Sequence, residues 1–244
     1  MQMGIRERGI KLSPRLAAAA EMLSASSIVA DIGSDHGRLA CALCQRNRLV
    51  HVIAADISGE SLNKCARLAE HVGVLSRIEL RVGDGLNVLL GGEADAVAIL
   101  GMGAKLIRSI LSDAPLPLAG AKLAVLSPMR GTAELRRYLY EQGYHVADDR
   151  IVSDAKRLYQ VLAVAPPDGE GLDVLPDDWP EGCFELGYRA YTRGDPLFAA
   201  LARQLLSDHE KRLLTAGDSA GARKLQKQAE DIRAILRLTE GRKT

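Results

Sequence analysis

An alternation of short apolar runs with amphipathic helical stretches predicts an α/β fold, a Rossmann-like and mostly parallel sheet with helices on both faces. Two observations sharpen this. The apolar runs recur roughly every 20–28 residues, the length a βαβ unit takes. The last two adjoin with no helix between them, which predicts an antiparallel hairpin at the sheet edge and seven strands in all. Ser13 as N-cap and Pro14 in the first turn open an N-terminal helix over residues 13–24. Strands follow at Ile28–Ile32, Val50–Ala55, Ile78–Val82, Ala96–Leu100 and Leu123–Ser127, separated by helical stretches at Leu39–Arg46, Gly59–His71, Lys105–Leu111 and Ala133–Gln142. Tyr144–Val152 and Leu158–Ala165 form the edge hairpin, so one domain spans residues 1–165. Residues 166–194, rich in proline and carboxylates, read as a linker in which Trp179 is a packing anchor. Residues 195–244 read as a helical hairpin, because Ala222, Leu225, Ala229, Ile232 and Leu236 recur at spacings of three and four. Such a hairpin is either a subdomain packed on itself and the sheet, or a partner-binding arm.

The chain of 244 residues is 47% hydrophobic and 26% charged, which excludes a disordered or fibrous protein. No apolar run approaches the roughly 20 residues that a membrane helix needs. The N-terminus lacks the apolar core of a signal peptide, and four unevenly spaced cysteines read as thiols of a reducing compartment, so a cytoplasmic setting is expected. Cys41 and Cys44 form a CxxC with no second pair at zinc spacing; with Cys65, Cys183 and the scattered histidines they predict no metal site. The net charge of +1 conceals an asymmetry: residues 1–30 carry +2, residues 31–194 carry −4, and residues 195–244 carry +3. Basic ends around an acidic middle suit an anionic ligand held by Arg6, Arg8, Lys11, Arg15, Arg223, Lys224 and Lys227. Solvated helix faces produce the same difference.

The densest chemical signal is ADIGSDHGRLA at residues 30–40, where a strand ends in Asp31 and Gly33 and Gly37 precede a helix. In open α/β sheets ligands bind beyond the carboxyl ends of the strands, where glycine lets the backbone come close. The dinucleotide fingerprint is absent, because Asp35 stands where its second glycine belongs, and a carboxylate repels a pyrophosphate. Asp56 ends the next strand, a place where an acid binds ribose hydroxyls. The third strand ends in Gly83-Asp84-Gly85, which suits an adenine edge. Three consecutive strand ends with an acid beside glycine favour S-adenosylmethionine over a phosphate-bearing cofactor. The competing reading is a set of turn residues and helix caps in an unspecialised fold, with Asp35 as the N-cap of its helix. Gly101-Met102-Gly103 after the fourth strand leaves space for a methyl acceptor, or is a plain turn with Met102 as core filler. Arg130 after the fifth strand reads as phosphate contact or solvated charge.

On ADIGSDHGRLA, GDGL (83–86), LGMGAKLI (100–107), LSPRL (12–16) and RLYQVLAV (157–164), the chain resembles bacterial tRNA (adenine-N1)-methyltransferases of the TrmK type. The resemblance implies a class I methyltransferase sheet followed by a coiled-coil hairpin, acting on N1 of an adenine of the adenine-22 type in tRNA. It also implies that Asp31, Gly33 and Ser34 line the methionine part of S-adenosylmethionine, Asp56 with Ile57 the ribose, and Asp84 with Gly85 the adenine. Gly101, Met102 and Gly103 complete the cofactor site, Asp35 is the catalytic aspartate, and His36 is its motif neighbour. Two departures stand out. Ala104 replaces a family glycine, and Ser127-Pro128-Met129 replaces a Gln-Pro-Asn on the acceptor side. The alternatives are a class I methyltransferase acting on a small molecule or another RNA, and a non-catalytic protein binding S-adenosylmethionine or RNA. Which tRNAs are modified, and whether the protein is a monomer or homodimer, stays open at this level.

Overall fold

The computed structural model describes residues 9–115, 120–167, 179–180, 184–217 and 219–241. Its strands are β1 (Ile28–Ile32), β2 (His51–Asp56), β3 (Ile78–Val82), β4 (Ala96–Leu100), β5 (Leu123–Ser127), β6 (His145–Asp154) and β7 (Arg157–Ala165). The helices are α1 (Pro14–Met22), α2 (Arg38–Arg46), α3 (Gly59–His71), α4 (Ala104–Asp113), α5 (Thr132–Glu141), α6 (Tyr188–Arg193), α7 (Phe198–Leu213) and α8 (Ala220–Gly241). The strands form one sheet of order β3-β2-β1-β4-β5-β7-β6. The first five run parallel, and β7 is antiparallel to both β5 and β6, as the sequence predicts.

Alternation along the strands explains the two layers. Val29, Val52, Ala54, Ala98 and Val125 pack under α1, α2 and α3, while Ala30, Ile53, Val97, Ile99 and Leu126 pack under α4 and α5. Both faces are buried, which is why these strands read as continuous apolar runs. From β1 the chain runs outward to β2 and β3, then crosses back to β4 on the other side of β1. That reversal leaves a crevice at the carboxyl ends of the central strands. At the far edge, Ala155 and Lys156 join β6 to β7 with φ of +47° and +65°. Two successive left-handed residues are what a type I′ hairpin turn requires, and here neither is glycine.

The C-terminal hairpin is present. Phe198, Leu201, Ala202 and Leu206 of α7 pack on Ala229, Ile232 and Ile235 of α8, and the cluster reaches the sheet through Ile151 of β6. Of the expected seam, Ala222, Leu225, Ala229 and Ile232 are buried, whereas Leu236 is half-buried and Ile235 takes the inner position. The stretch 166–194 is more than a linker. Residues 168–178 and 181–183 lie outside the described residues, but α6 forms inside it and packs on β6. A six-residue helix is too short to show periodicity and does not persist on its own propensity. Tertiary contacts hold it: Arg136 donates to the Gln160 side chain at 2.7 Å, to the Phe184 carbonyl at 2.7 Å and to Asp149 at 3.4 Å. Asp149 in turn accepts from the Ala190 N–H at 2.7 Å. Trp179 does pack there, with ring centroids 4.9 Å from Tyr188 and 5.5 Å from Tyr191.

Candidate active site

A cleft of about 520 Å³ opens where the sheet order reverses. Its floor is the loop after β1. Gly33 and Ser34 both donate backbone N–H groups to the Ala55 carbonyl, at 2.8 and 2.9 Å, which ties the loop to the end of β2. Gly33, Asp35 and Gly37 have φ of +72°, +50° and +67°, so every second residue is left-handed and the chain folds back before α2 begins. That conformation costs a non-glycine residue such as Asp35 about 1 kcal/mol. At Gly33 the left-handed φ favours glycine, and at Gly37 both the φ and the contacts with Cys65, down to its backbone, do. A Cβ at Gly33 would lie 2.2 Å from Met102 Cε, and one at Gly37 would lie 2.1 Å from Cys65 Sγ.

Four carboxylates line the cleft, three of them at or just beyond the ends of β1, β2 and β3. Asp31 is buried, accepts from Ser34 Oγ at 2.8 Å, and also accepts from the Ala40 backbone in the first turn of α2. Burial pushes its carboxyl up to about 6; the two hydrogen bonds oppose the rise, and the nearby Asp56 charge adds to it. Asp56 accepts from the backbone N–H groups of Asp35, at 3.1 Å, and Ser58, at 2.9 Å, so its carboxylate is oriented by the two loops it joins. Asp84 starts a short 3₁₀ turn, Gly85–Val88, beyond β3. Asp35 and His36 stand above them, with Nδ1 of the imidazole 2.8 Å from the carboxylate and both side chains more than half exposed.

The opposite wall comes from β4 and β5. Gly101 donates to the Ser127 carbonyl at 3.0 Å, Met129 donates to the Met102 carbonyl at 2.8 Å, and Ala104 donates to the Arg130 carbonyl at 3.1 Å. Ser127 is buried, and its Oγ donates to the Gln160 carbonyl at 3.0 Å, so it presents nothing to the cleft. Arg15 reaches in from α1, its guanidinium 5.3 Å above the Tyr159 ring and 3.3 Å from Met129 Sδ.

The structure brings eleven of the twelve sequence-predicted residues to this one cleft: Asp31, Gly33, Ser34, Asp35, His36, Asp56, Ile57, Asp84, Gly85, Gly101 and Met102. Gly103 instead caps α4, with Arg130 Nε 3.8 Å from where its Cβ would stand. Asp35 is not a helix cap, since Gly37 occupies the N-cap of α2. Ser34 turns its hydroxyl to Asp31. Sequence reasoning marked Arg15 only as one of the basic residues near the N-terminus and did not single out Arg38; that both line the cleft was not legible, and for Arg15 the place depends on α1 docking beside β7. Cys41, Cys44 and Cys65 are buried free thiols. Among the described residues no group of His, Cys, Asp or Glu could hold a metal ion, and no helix is long and apolar enough to cross a membrane. Arg6, Arg8 and Cys183 lie outside the described residues.

Comparison with known proteins places this geometry. A family model described as a methyltransferase domain matches residues 12–162. The tRNA (adenine(22)-N(1))-methyltransferase of Bacillus subtilis (strain 168) is 36% identical over 159 residues, which span 65% of this chain and 67% of that protein. The crystal structure of the B. subtilis M1A22 tRNA methyltransferase TrmK superposes with a TM-score of 0.76 at 28% identity, covering 94% of this chain and 99% of that one. The structure of M. capricolum TrmK with its cofactor product S-adenosyl-homocysteine superposes with a TM-score of 0.78 at 21% identity, covering 93% of this chain and 99% of that one.

Proposed function

The chain belongs to the methyltransferase-domain family, and from that premise we propose that it methylates N1 of an adenine in tRNA, of the adenine-22 type, using S-adenosylmethionine. The observation that carries the reading is the convergence of Asp31, Asp56 and Asp84 on one cleft at the strand-order reversal. The donor set fits that cofactor. A pyrophosphate would be repelled by Asp31 and Asp35, whereas an ammonium and a sulfonium are attracted by them. S-adenosylmethionine supplies an electrophilic methyl group on a positively charged sulfur.

Asp31, fixed by Ser34 and α2, faces the cationic methionine part alongside Gly33. Asp56 with Ile57 holds the ribose, Asp84 with Gly85 holds the adenine, and Gly101 with Met102 borders the reacting methyl. Most of the rate enhancement in such an in-line displacement is positioning. The acceptor N1 lies on the pairing edge of the base, so the base must leave its stack to enter the cleft. No proton need leave N1 first, because its lone pair is the nucleophile. Asp35 accepts a hydrogen bond from the exocyclic amine and stabilises the positive charge that develops on the base. His36, 2.8 Å away, orients that carboxylate. Basic residues at the two ends of the chain, Lys11, Arg223, Lys224 and Lys227 among them, hold tRNA phosphates in a salt-sensitive way. The reading sets the protein in the cytoplasm, where tRNA is modified.

The test is methyl incorporation from labelled S-adenosylmethionine into bulk tRNA, with nucleosides resolved by mass spectrometry. A 1-methyladenosine product is expected. Cofactor binding by calorimetry without incorporation would sink the tRNA assignment in favour of a small-molecule acceptor or a non-catalytic role. Asp35→Ala is expected to abolish turnover while cofactor affinity stays within about twofold; equal loss of both would remove Asp35 from the chemistry.

A further inference from the structure

A second cavity, of about 590 Å³, lies between the β5–α5 loop, β7 and the helical hairpin. It meets the cofactor cleft at one wall: Arg15 lines the cleft, while Met129 and Tyr159 line the groove. Arg15 is the hinge of that wall, stacked over Tyr159 at 5.3 Å and donating to Met129 Sδ at 3.3 Å. A thioether sulfur is a weak acceptor, and a guanidinium presents five N–H donors in a rigid fork. Among the described residues no carboxylate pairs with Arg15, and most of its fork meets no acceptor among them at the threshold between the two spaces. Gly101 adjoins it: its φ of +80° favours glycine, and a Cβ there would meet Arg15 Nη1 at 3.4 Å, an ordinary contact.

We infer that Arg15 is a positioning residue that grips a phosphodiester flanking the acceptor nucleotide, as the base passes from the groove into the cleft. The inference rests on the tRNA reading above and adds the contact that registers the acceptor. Chemistry selects phosphate over base. Methyl transfer to N1 leaves positive charge on the ring, which an adjacent guanidinium would oppose, whereas the fork matches two phosphate oxygens. The groove itself is mixed in charge, with Arg130, Arg137, Arg212 and Lys224 set against Glu134, Glu185 and Asp208. A general basic field does not explain registration there; a single fork at the threshold does.

Steady-state methylation of a defined tRNA tests the role, with cofactor affinity measured by calorimetry on the same proteins. Arg15→Gln is expected to raise KM for tRNA about tenfold, with cofactor Kd and melting temperature unchanged, and Arg15→Lys to recover part of the loss. Replacing one flanking phosphodiester of a synthetic tRNA by an uncharged methylphosphonate should cost the wild type the same factor and Arg15→Gln nothing further. Wild-type kinetics in Arg15→Gln would overturn the inference. So would a loss on tRNA matched by loss of cofactor affinity or melting temperature, which marks a structural role. So too would equal methylphosphonate penalties in both proteins. Failure of the wild type to form 1-methyladenosine at all is a separate result, and it refutes the functional reading along with the inference.

Discussion

Asp31 and Asp149 are both aspartates of the central sheet, 4% and 2% exposed, and burial pushes both carboxyls up. Their neighbours differ. Asp149 faces the Arg136 guanidinium at 3.4 Å and accepts a backbone N–H from α6 at 2.7 Å. Among the described residues Asp31 pairs with no cation: its partners are a serine hydroxyl and a helix N-terminus, and the charge beside it is another carboxylate, Asp56. One acid completes a buried network that docks the C-terminal helices on the sheet. The other, in the reading proposed above, meets the positive charge of a bound cofactor. Unpaired buried charge marks a ligand site, whereas paired buried charge marks a joint.

The same substitution should therefore act with opposite sign at the two positions. Asp149→Asn leaves the Arg136 charge buried and uncompensated, so urea unfolding should show a loss of about 3–5 kcal/mol; a loss under about 1 kcal/mol would mean that the joint is not held by the pair. Asp31→Asn should stabilise the protein near neutral pH. The native state keeps the Asp31 proton up to about 6, while the unfolded chain releases it near 3.8. Between those values the native state binds more protons, so stability falls as pH rises through the window. The penalty, present above about pH 6 and absent below about pH 4, amounts to about 3 kcal/mol, which Asn removes. The variant should nonetheless lose S-adenosylmethionine affinity by at least about tenfold. Wild-type affinity should weaken as pH drops below 6, because protonated Asp31 offers no charge. A variant that gains no stability, or keeps full cofactor affinity, breaks the contrast.

A smaller effect sharpens the cleft side alone. Gly33→Ala places a methyl group against Met102 Cε in a left-handed conformation. Calorimetry should show cofactor affinity about tenfold weaker, and Met102→Ala in the same chain should recover the part due to collision, leaving the backbone cost of about 1 kcal/mol. No recovery would mean that the loop conformation, not the Met102 contact, requires glycine at 33.

Sheet, site and acids are legible in the linear chain for local reasons. Strands buried on both faces must be apolar throughout, and a ligand-binding loop must place glycines and acids within a few residues of a strand end. Hence Asp31, Asp35, Asp56 and Asp84 could be read in order, and the cleft gathers them because parallel strands bring all their carboxyl ends to one edge. What the linear chain conceals is whatever depends on a partner distant in sequence. Arg15 becomes part of the cleft only because α1 sets it over Tyr159, and α6 exists only because Arg136, Asp149 and Gln160 converge beneath it. The role of Gly187 is hidden for the same reason. Its φ is +84°, and a Cβ there would stand 2.3 Å from Asp149 Oδ2, a constraint set by a side chain far away in the chain. Local patterning determined the class of fold and the loops that meet at the cleft; tertiary packing decided the wall that Arg15 and Tyr159 form and the docking of the hairpin, because those rest on long-range pairs that no local pattern records.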